Sequence, residues 1–115
     1  MDQHSPEWYA ARLGKATASR VADVMAKTKS GYSASRANYM AELLCERLTG
    51  KRSEGFTSAA MAWGTEIEPQ ARAAYAFLTD VDVIETGFVD HPTIAMLGAS
   101  PDGLVGETGL VEIKC

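Results

Sequence analysis

The chain has 115 residues, of which 46% are hydrophobic and 23% charged. That balance supports one domain with a core and excludes compositional disorder, and no run of about 18 apolar residues reads as a membrane-spanning helix. The net charge of -4 argues against a generic nucleic-acid binder.

The charge is unevenly placed. Residues 1–57 carry nine Lys/Arg against six Asp/Glu (+3), and residues 58–115 carry two against nine (-7). A basic first half with an acidic second half fits a phosphate-gripping surface that leads to a metal-binding cleft. Met1-Asp2-Gln3-His4 lacks the basic and apolar regions of a signal peptide, so a cytoplasmic location is expected.

Ser5-Pro6-Glu7 is a helix start: an N-cap hydroxyl, Pro at the first helical position and an acid in the first turn. Trp8, Tyr9 and Leu13 give this helix an apolar side, and Gly14 stops it. A second helix is predicted from Thr17-Ala18-Ser19, with Val21, Val24 and Met25 on one face. Lys27 to Ser33 reads as a basic, polar loop. A third helix is predicted from about Ser35 to Leu48, where Tyr39, Met40, Leu43, Leu44 and Leu48 recur at helical spacing, and Gly50 ends it. Cys45 falls within this pattern and is expected to be a buried thiol. Cys45 and Cys115 offer neither metal spacing nor a disulfide framework, and His4 and His91 read as surface or turn residues. Lys51 to Thr57 is a polar connector.

From Ser58 to about Leu78 a long helical pattern follows. Pro69 lacks a backbone donor, so a break or kink is expected there, or a helix restarting near Thr65. Trp63 on this segment is expected in the core. Three strands complete the chain, at about Val81–Val89, Thr93–Leu97 and Leu110–Lys114, with Asp90-His91-Pro92 turning between the first two. The order is α/β: helices first, then an antiparallel three-strand meander.

The last fifteen residues hold the most specific chemistry. In Leu110-Val111-Glu112-Ile113-Lys114, a period of two puts Glu112 and Lys114 on one strand face and Val111 and Ile113 on the other. Ser100-Pro101-Asp102-Gly103 precedes it, and Gly103, Gly106 and Gly109 supply turn chemistry for a hairpin that brings Asp102 beside Glu112. Two adjacent carboxylates repel unless a divalent cation lies between them. Mg²⁺ suits such oxygen donors, and Lys114 would orient a water or stabilise charge on phosphate. Each motif alone is ordinary: Ser-Pro-Asp-Gly is a common turn, and Glu-x-Lys occurs on many exposed strands. The chain stops one residue after Lys114, although a strand with two functional faces normally has neighbours on both sides. The sequence is therefore expected to be part of a larger domain.

Four blocks in order resemble the phage lambda exonuclease family, the YqaJ-type viral recombinases of the PD-(D/E)xK nuclease superfamily. They are Trp8 with Arg12-Leu13-Gly14 and Thr17-Ala18-Ser19; Ala62-Trp63-Gly64 with Glu68; Ser100-Pro101-Asp102-Gly103; and Glu112-Ile113-Lys114-Cys115. The resemblance implies a restriction-endonuclease-like core, of which residues 1–115 would be the N-terminal portion. It implies that Asp102, Glu112 and the Ile113 carbonyl hold Mg²⁺, with Mn²⁺ as a substitute, that Lys114 is the catalytic lysine, and that Glu68 is a further acid. Arg12, Ser19 and Ser100 match positions that hold the 5′-phosphate of a DNA end. Lys29 matches a minor-groove cation, and Met61 an apolar wedge against the terminal base pair. Read without the family, Glu68 is a solvated helix residue, Ser19 an N-cap and Arg12 a surface residue.

The implied activity is Mg²⁺-dependent 5′→3′ exonuclease action on double-stranded DNA ends. It would leave a 3′ strand for a single-strand annealing protein, and a ring-shaped homotrimer is implied. Family members also carry a further helix with a Gln near the site and more strands, which are absent from this sequence. That absence supports a rival reading as an inactive DNA-end-binding fragment. A Cas4-like relative would need four cysteine ligands for an iron–sulfur cluster, and the chain has two cysteines. The remaining rival is an unrelated α/β domain with a chance Glu-x-Lys.

Overall fold

The computed structural model describes residues 1–52 and 57–115; part of the predicted polar connector lies outside the described residues. The described residues fall into two compact units, one within Met1–Ser53 and Gly87–Ser100, the other within Glu54–Thr86 and Pro101–Cys115.

In the first unit, α1 spans Pro6–Arg12. The Ser5 hydroxyl accepts from the Trp8 backbone N–H at 3.2 Å, the cap that the Ser-Pro-Glu start predicts. Gly14 follows with φ +68°, and a Cβ there would meet Arg47 Cγ at 2.6 Å, so this position requires glycine twice over. Strand β1 (Ala16–Thr17) leads into a single 3-10 turn at Ala18–Arg20 and then α2 (Val21–Met25). The second helix therefore starts later than predicted, and the Thr17 side chain caps nothing. The predicted loop is instead a small hairpin, β2 (Lys27–Thr28) with β3 (Gly31–Tyr32). Its two-residue turn is Lys29-Ser30, and guanidinium and ammonium groups from Arg36 and Lys27 lie over the Tyr32 ring at 3.9 and 5.1 Å. Helix α3 spans Ala34–Thr49 and ends on Gly50 in the left-handed conformation, close to the predicted bounds.

Strands β4 (Val89–Asp90) and β5 (Leu97–Ala99) complete a three-stranded sheet in the order β1-β5-β4. The β4–β5 pair is antiparallel, whereas β1 runs parallel to β5 with Ala16 opposite Leu97 and Thr17 opposite Gly98. The Phe88 ring lies where a Gly98 Cβ would stand, so the middle strand must carry glycine for the ring to cover it. Trp8, Tyr39, Phe88 and Thr17, each 9% exposed or less, form the core of this unit. Cys45 is exposed, contrary to expectation. Met40, Leu44 and Leu48 are exposed with it, at i, i+4 and i+8, so that stripe of α3 faces outward, and the apolar periodicity does not by itself say which side is covered.

In the second unit, α4 runs unbroken over Ala59–Thr79 with Pro69 inside it, capped by Ser58. The predicted break does not occur. Proline removes the donor that would reach the Thr65 carbonyl, but Thr65 and Pro69 are both exposed, so water can take up the freed acceptor. Trp63 is 54% exposed rather than in the core. The hairpin β6 (Gly103–Val105) with β7 (Gly109–Val111) pairs Gly103 with Val111, and Gly106 turns it with φ +60°. Ile84 joins its outer side through two backbone hydrogen bonds with Leu104, at 2.9 and 2.8 Å.

The α/β class thus holds, but β1–β3 precede α3, and in place of a three-strand antiparallel meander β4 and β5 join the parallel strand β1 while β6 and β7 pair with each other; the strand bounds shift as well. The predicted strand over 81–89 reduces to the Ile84 bridge and β4, residues 93–96 form a turn, and pairing in the last strand stops at Val111. Among the described residues of the second unit, Gly103 alone is buried. No helix among the described residues is long and apolar enough to cross a membrane.

Candidate active site

The acidic residues predicted for chemistry lie in the second unit. The β6–β7 register, carried one residue further, sets Asp102 opposite Glu112, as the glycine-rich turn predicts. Asp102 Oδ2 accepts the Ile113 backbone N–H at 2.8 Å, a bond that fixes the carboxylate against the final segment. Exposure alternates along residues 109–114, with Leu110, Glu112 and Lys114 out and Val111 and Ile113 partly covered. Lys114 Nζ donates to Glu112 Oε1 at 3.0 Å, which confirms their common face; the two side chains are 85% and 63% exposed. This hydrogen bond and the Glu112 charge, with a smaller contribution from Asp102, raise the Lys114 proton affinity above the ordinary lysine value.

Glu68, on α4, meets the same turn. Its carboxyl lies within hydrogen-bonding reach of the Asp102 carboxylate, and its pKa is raised. Burial is the largest cause, followed by the hydrogen bond to Asp102 and the Asp102 charge, with Arg72 acting in the opposite sense. The sequence alone makes Glu68 a solvated helix residue; here its side chain is 25% exposed. Arg72, one helical turn on, was not singled out from the sequence. Its Nη2 donates to Glu68 Oε2 at 3.1 Å, its Nε to the Asp102 carbonyl at 2.9 Å and its Nη1 to Glu85 Oε1 at 2.6 Å. The i,i+4 spacing of Glu68 and Arg72 is the one sequence signal that could have flagged it.

Whether these donors suit a cation turns on their chemistry. Glu68 and Asp102 are hard-oxygen donors, and the raised Glu68 pKa, caused first by burial and then by Asp102, is a circumstance that a divalent cation relieves. Among the described residues, however, no three His, Cys, Asp or Glu side chains gather closely enough to hold a metal ion, and Glu112 is turned toward Lys114. The donor set fits Mg²⁺ in kind, with Glu112 outside the pair.

The residues predicted to hold a phosphate lie in the first unit. The Arg12 guanidinium lies 4.0 Å over the Trp8 ring, and the Trp8 indole N–H donates to Ser100 Oγ at 2.9 Å, so one indole links Arg12 and Ser100. Arg12 Nε is buried and has no hydrogen-bond partner among the described residues, although buried donors are normally paired. Burial lowers the Arg12 pKa below the ordinary arginine value, against favourable charges from Tyr39, Tyr9 and Glu46. Ser19 and Ser100 follow the same ends of the parallel strands β1 and β5, and the Ser19 hydroxyl meets Thr17 Oγ1 at 3.1 Å. The carboxyl ends of parallel strands are where such sheets commonly receive ligands. Lys29 is exposed at the tip of the β2–β3 hairpin, and Met61, 53% exposed, lies in the first turn of α4 in the second unit.

Comparison with known proteins adds the family. Residues 7–115 match the model of the YqaJ-like viral recombinase domain. The fold is similar to LHK-Exo, an alkaline exonuclease from Laribacter hongkongensis, with 64% sequence identity and a TM-score of 0.85. It is equally similar to LHK-Exo in complex with dAMP, with 63% identity and a TM-score of 0.86. Each alignment covers 96% of this chain and 53% of the LHK-Exo chain, so the sequence spans about half the length of these relatives. No curated protein matches the chain. The fold, the ordered motifs and the match over residues 7–115 together place this chain in the YqaJ-like viral recombinase family.

Proposed function

We propose that the chain carries the catalytic motifs of a Mg²⁺-dependent 5′→3′ exonuclease acting on double-stranded DNA ends. The observation that carries this reading is that Arg72 ties Glu68 of α4 to the Asp102 carbonyl, beside a hairpin whose register sets Glu112 opposite Asp102, in a chain similar to an alkaline exonuclease. Asp102, Glu112 and the Ile113 carbonyl would hold the cation, with Glu68 beside them. When bound, Mg²⁺ supplies a water of lowered pKa and neutralises charge that builds on the phosphate.

The chain's own groups do the rest. Lys114, kept protonated by Glu112, offers a positive N–H donor to the attacked phosphate or to the incoming water. Arg12 Nε is buried without a partner among the described residues, and guanidinium grips phosphate through parallel hydrogen bonds. With the hydroxyls of Ser19 and Ser100 it would hold the 5′-phosphate and so set direction. Lys29 would enter the minor groove, and Met61 would press on the terminal base pair. LHK-Exo was crystallised with dAMP, a 5′-mononucleotide of the class this reaction releases. The reading places the protein in the cytoplasm beside a single-strand annealing protein, acting as a ring-shaped homotrimer.

The test is digestion of linear duplex DNA with one 5′-phosphorylated end, with and without Mg²⁺, beside Lys114→Ala. Loss of nucleotides from the phosphorylated end, abolished in the variant, is the expected result. Binding to the end without cutting would favour the inactive end-binding alternative, which Glu112's outward position also fits. Neither cutting nor binding would refute both.

A further inference from the structure

Arg72 commits three N–H donors to three separate segments: α4 through Glu68, the stretch beside the Ile84 bridge through Glu85, and the turn before β6 through the Asp102 carbonyl. Its side chain is 11% exposed. We propose that Arg72 is the positioning residue of the carboxylate pair, with Glu85 as its anchor, and that it fixes Glu68 and Asp102 for a divalent cation. The inference rests on the reading of these acids as cation donors, but the geometry behind it is independent of that reading.

The contacts are distributed so that Arg72 takes one oxygen of Glu68 and none of the Asp102 carboxylate. Arg72 occupies Glu68 Oε2 and leaves Oε1. It holds Asp102 by the backbone carbonyl and not by the side chain, which accepts the Ile113 N–H on Oδ2 and meets the Glu68 carboxyl. Glu85, at 2.6 Å and 65% exposed, supplies a counter-charge from the solvent side, which lessens the repulsion between the guanidinium and an incoming cation. Glu85 is held in turn, since its neighbour Ile84 makes both backbone bonds to Leu104. A lysine would present one nitrogen and could not span three acceptors on three segments; the planar fork of arginine can. Groups one step removed from a metal commonly orient its ligands in this way.

Two measurements on the full chain test the proposal. In metal-free protein, ¹³C NMR of the Glu68 side-chain carboxyl follows its titration; Arg72→Met should move the midpoint to higher pH. Mn²⁺ binding followed by water-proton relaxation should weaken about tenfold or more in Arg72→Met. Arg72→Lys should restore much of the titration, because the charge returns, but not the affinity, because the fork does not. A Glu68 titration and a Mn²⁺ affinity both unchanged in Arg72→Met would overturn the proposal. If circular dichroism shows that Arg72→Met does not fold, Glu85→Ala decides: weaker Mn²⁺ binding supports the anchored arginine, and wild-type binding overturns it. Absence of Mn²⁺ binding by the wild type would instead defeat the cation-site reading on which the proposal rests.

Discussion

Tyr39→Phe removes one oxygen, and the structure fixes what that costs. The Tyr39 hydroxyl accepts the Thr17 backbone N–H at 3.0 Å and lies 3.4 Å from the Lys15 carbonyl, to which it donates. Tyr39 is 5% exposed and Thr17 7%. In β1 the neighbouring Ala16 N–H reaches Met96, so the Thr17 N–H points away from the sheet, toward Tyr39. Phenylalanine keeps the ring and its cover but leaves a buried amide unpaired, which costs about 1–3 kcal/mol. At about 2 kcal/mol, and with a urea slope of about 1.5 kcal/mol/M, the midpoint falls by roughly 1.3 M. Amide hydrogen exchange at Thr17 should quicken roughly thirtyfold if its opening carries the same penalty. Tyr9→Phe is the control, since that hydroxyl meets the exposed His4 ring at 3.4 Å; it should change stability by less than about 0.5 kcal/mol. If the two variants unfold at the same urea concentration, the Thr17–Tyr39 bond does not support β1 as argued.

Two further outcomes are expected. Pro69→Ala restores the donor to the Thr65 carbonyl within α4 and should stabilise the chain by about 1–3 kcal/mol, read by urea unfolding; a loss of stability would show that the proline is fitted to its surroundings. Because the Glu68 pKa is raised in the folded chain, its proton favours the folded state: this contribution is complete below the ordinary glutamate value of 4.5 and is lost as pH rises through the folded value. Metal-free protein should therefore lose stability over that rise, and Glu68→Gln should flatten the profile; an unchanged profile in the variant would refute the assignment.

The parts of this fold that could be read from sequence are those decided within a few residues. Ser5-Pro6 starts α1 and Gly50 ends α3 because cap hydroxyls and left-handed glycines act on their own neighbours. The β6–β7 hairpin forms in the register that sets Asp102 opposite Glu112 because its turn is local and glycine-rich. What was not legible depends on distant partners. Nothing in Ala16-Thr17 announces a parallel mate at Leu97-Gly98. The contact between Glu68 and Asp102 came from family resemblance, since a lone glutamate on a helix carries no signal of the turn it meets. Arg72 carries no local signal of its role, because its three acceptors come from three segments. Trp63 and Cys45 read as core residues in the sequence yet are exposed, because apolar character marks a face to be covered without saying what covers it.

The parallel pairing of β1 with β5 also sets a schedule. Residue 16 leaves the ribosome long before residue 97, its partner, and translation at about 5–20 residues per second makes that interval roughly 4–16 s. During it the first strand has no sheet to join, while α3 and the Tyr39 hydroxyl that grips Thr17 have already been made. The nascent chain can therefore hold β1 against a helix as a provisional support. The strand from residues 97–99 then closes a loop of about 80 residues, and its added entropic cost grows only slowly with that length.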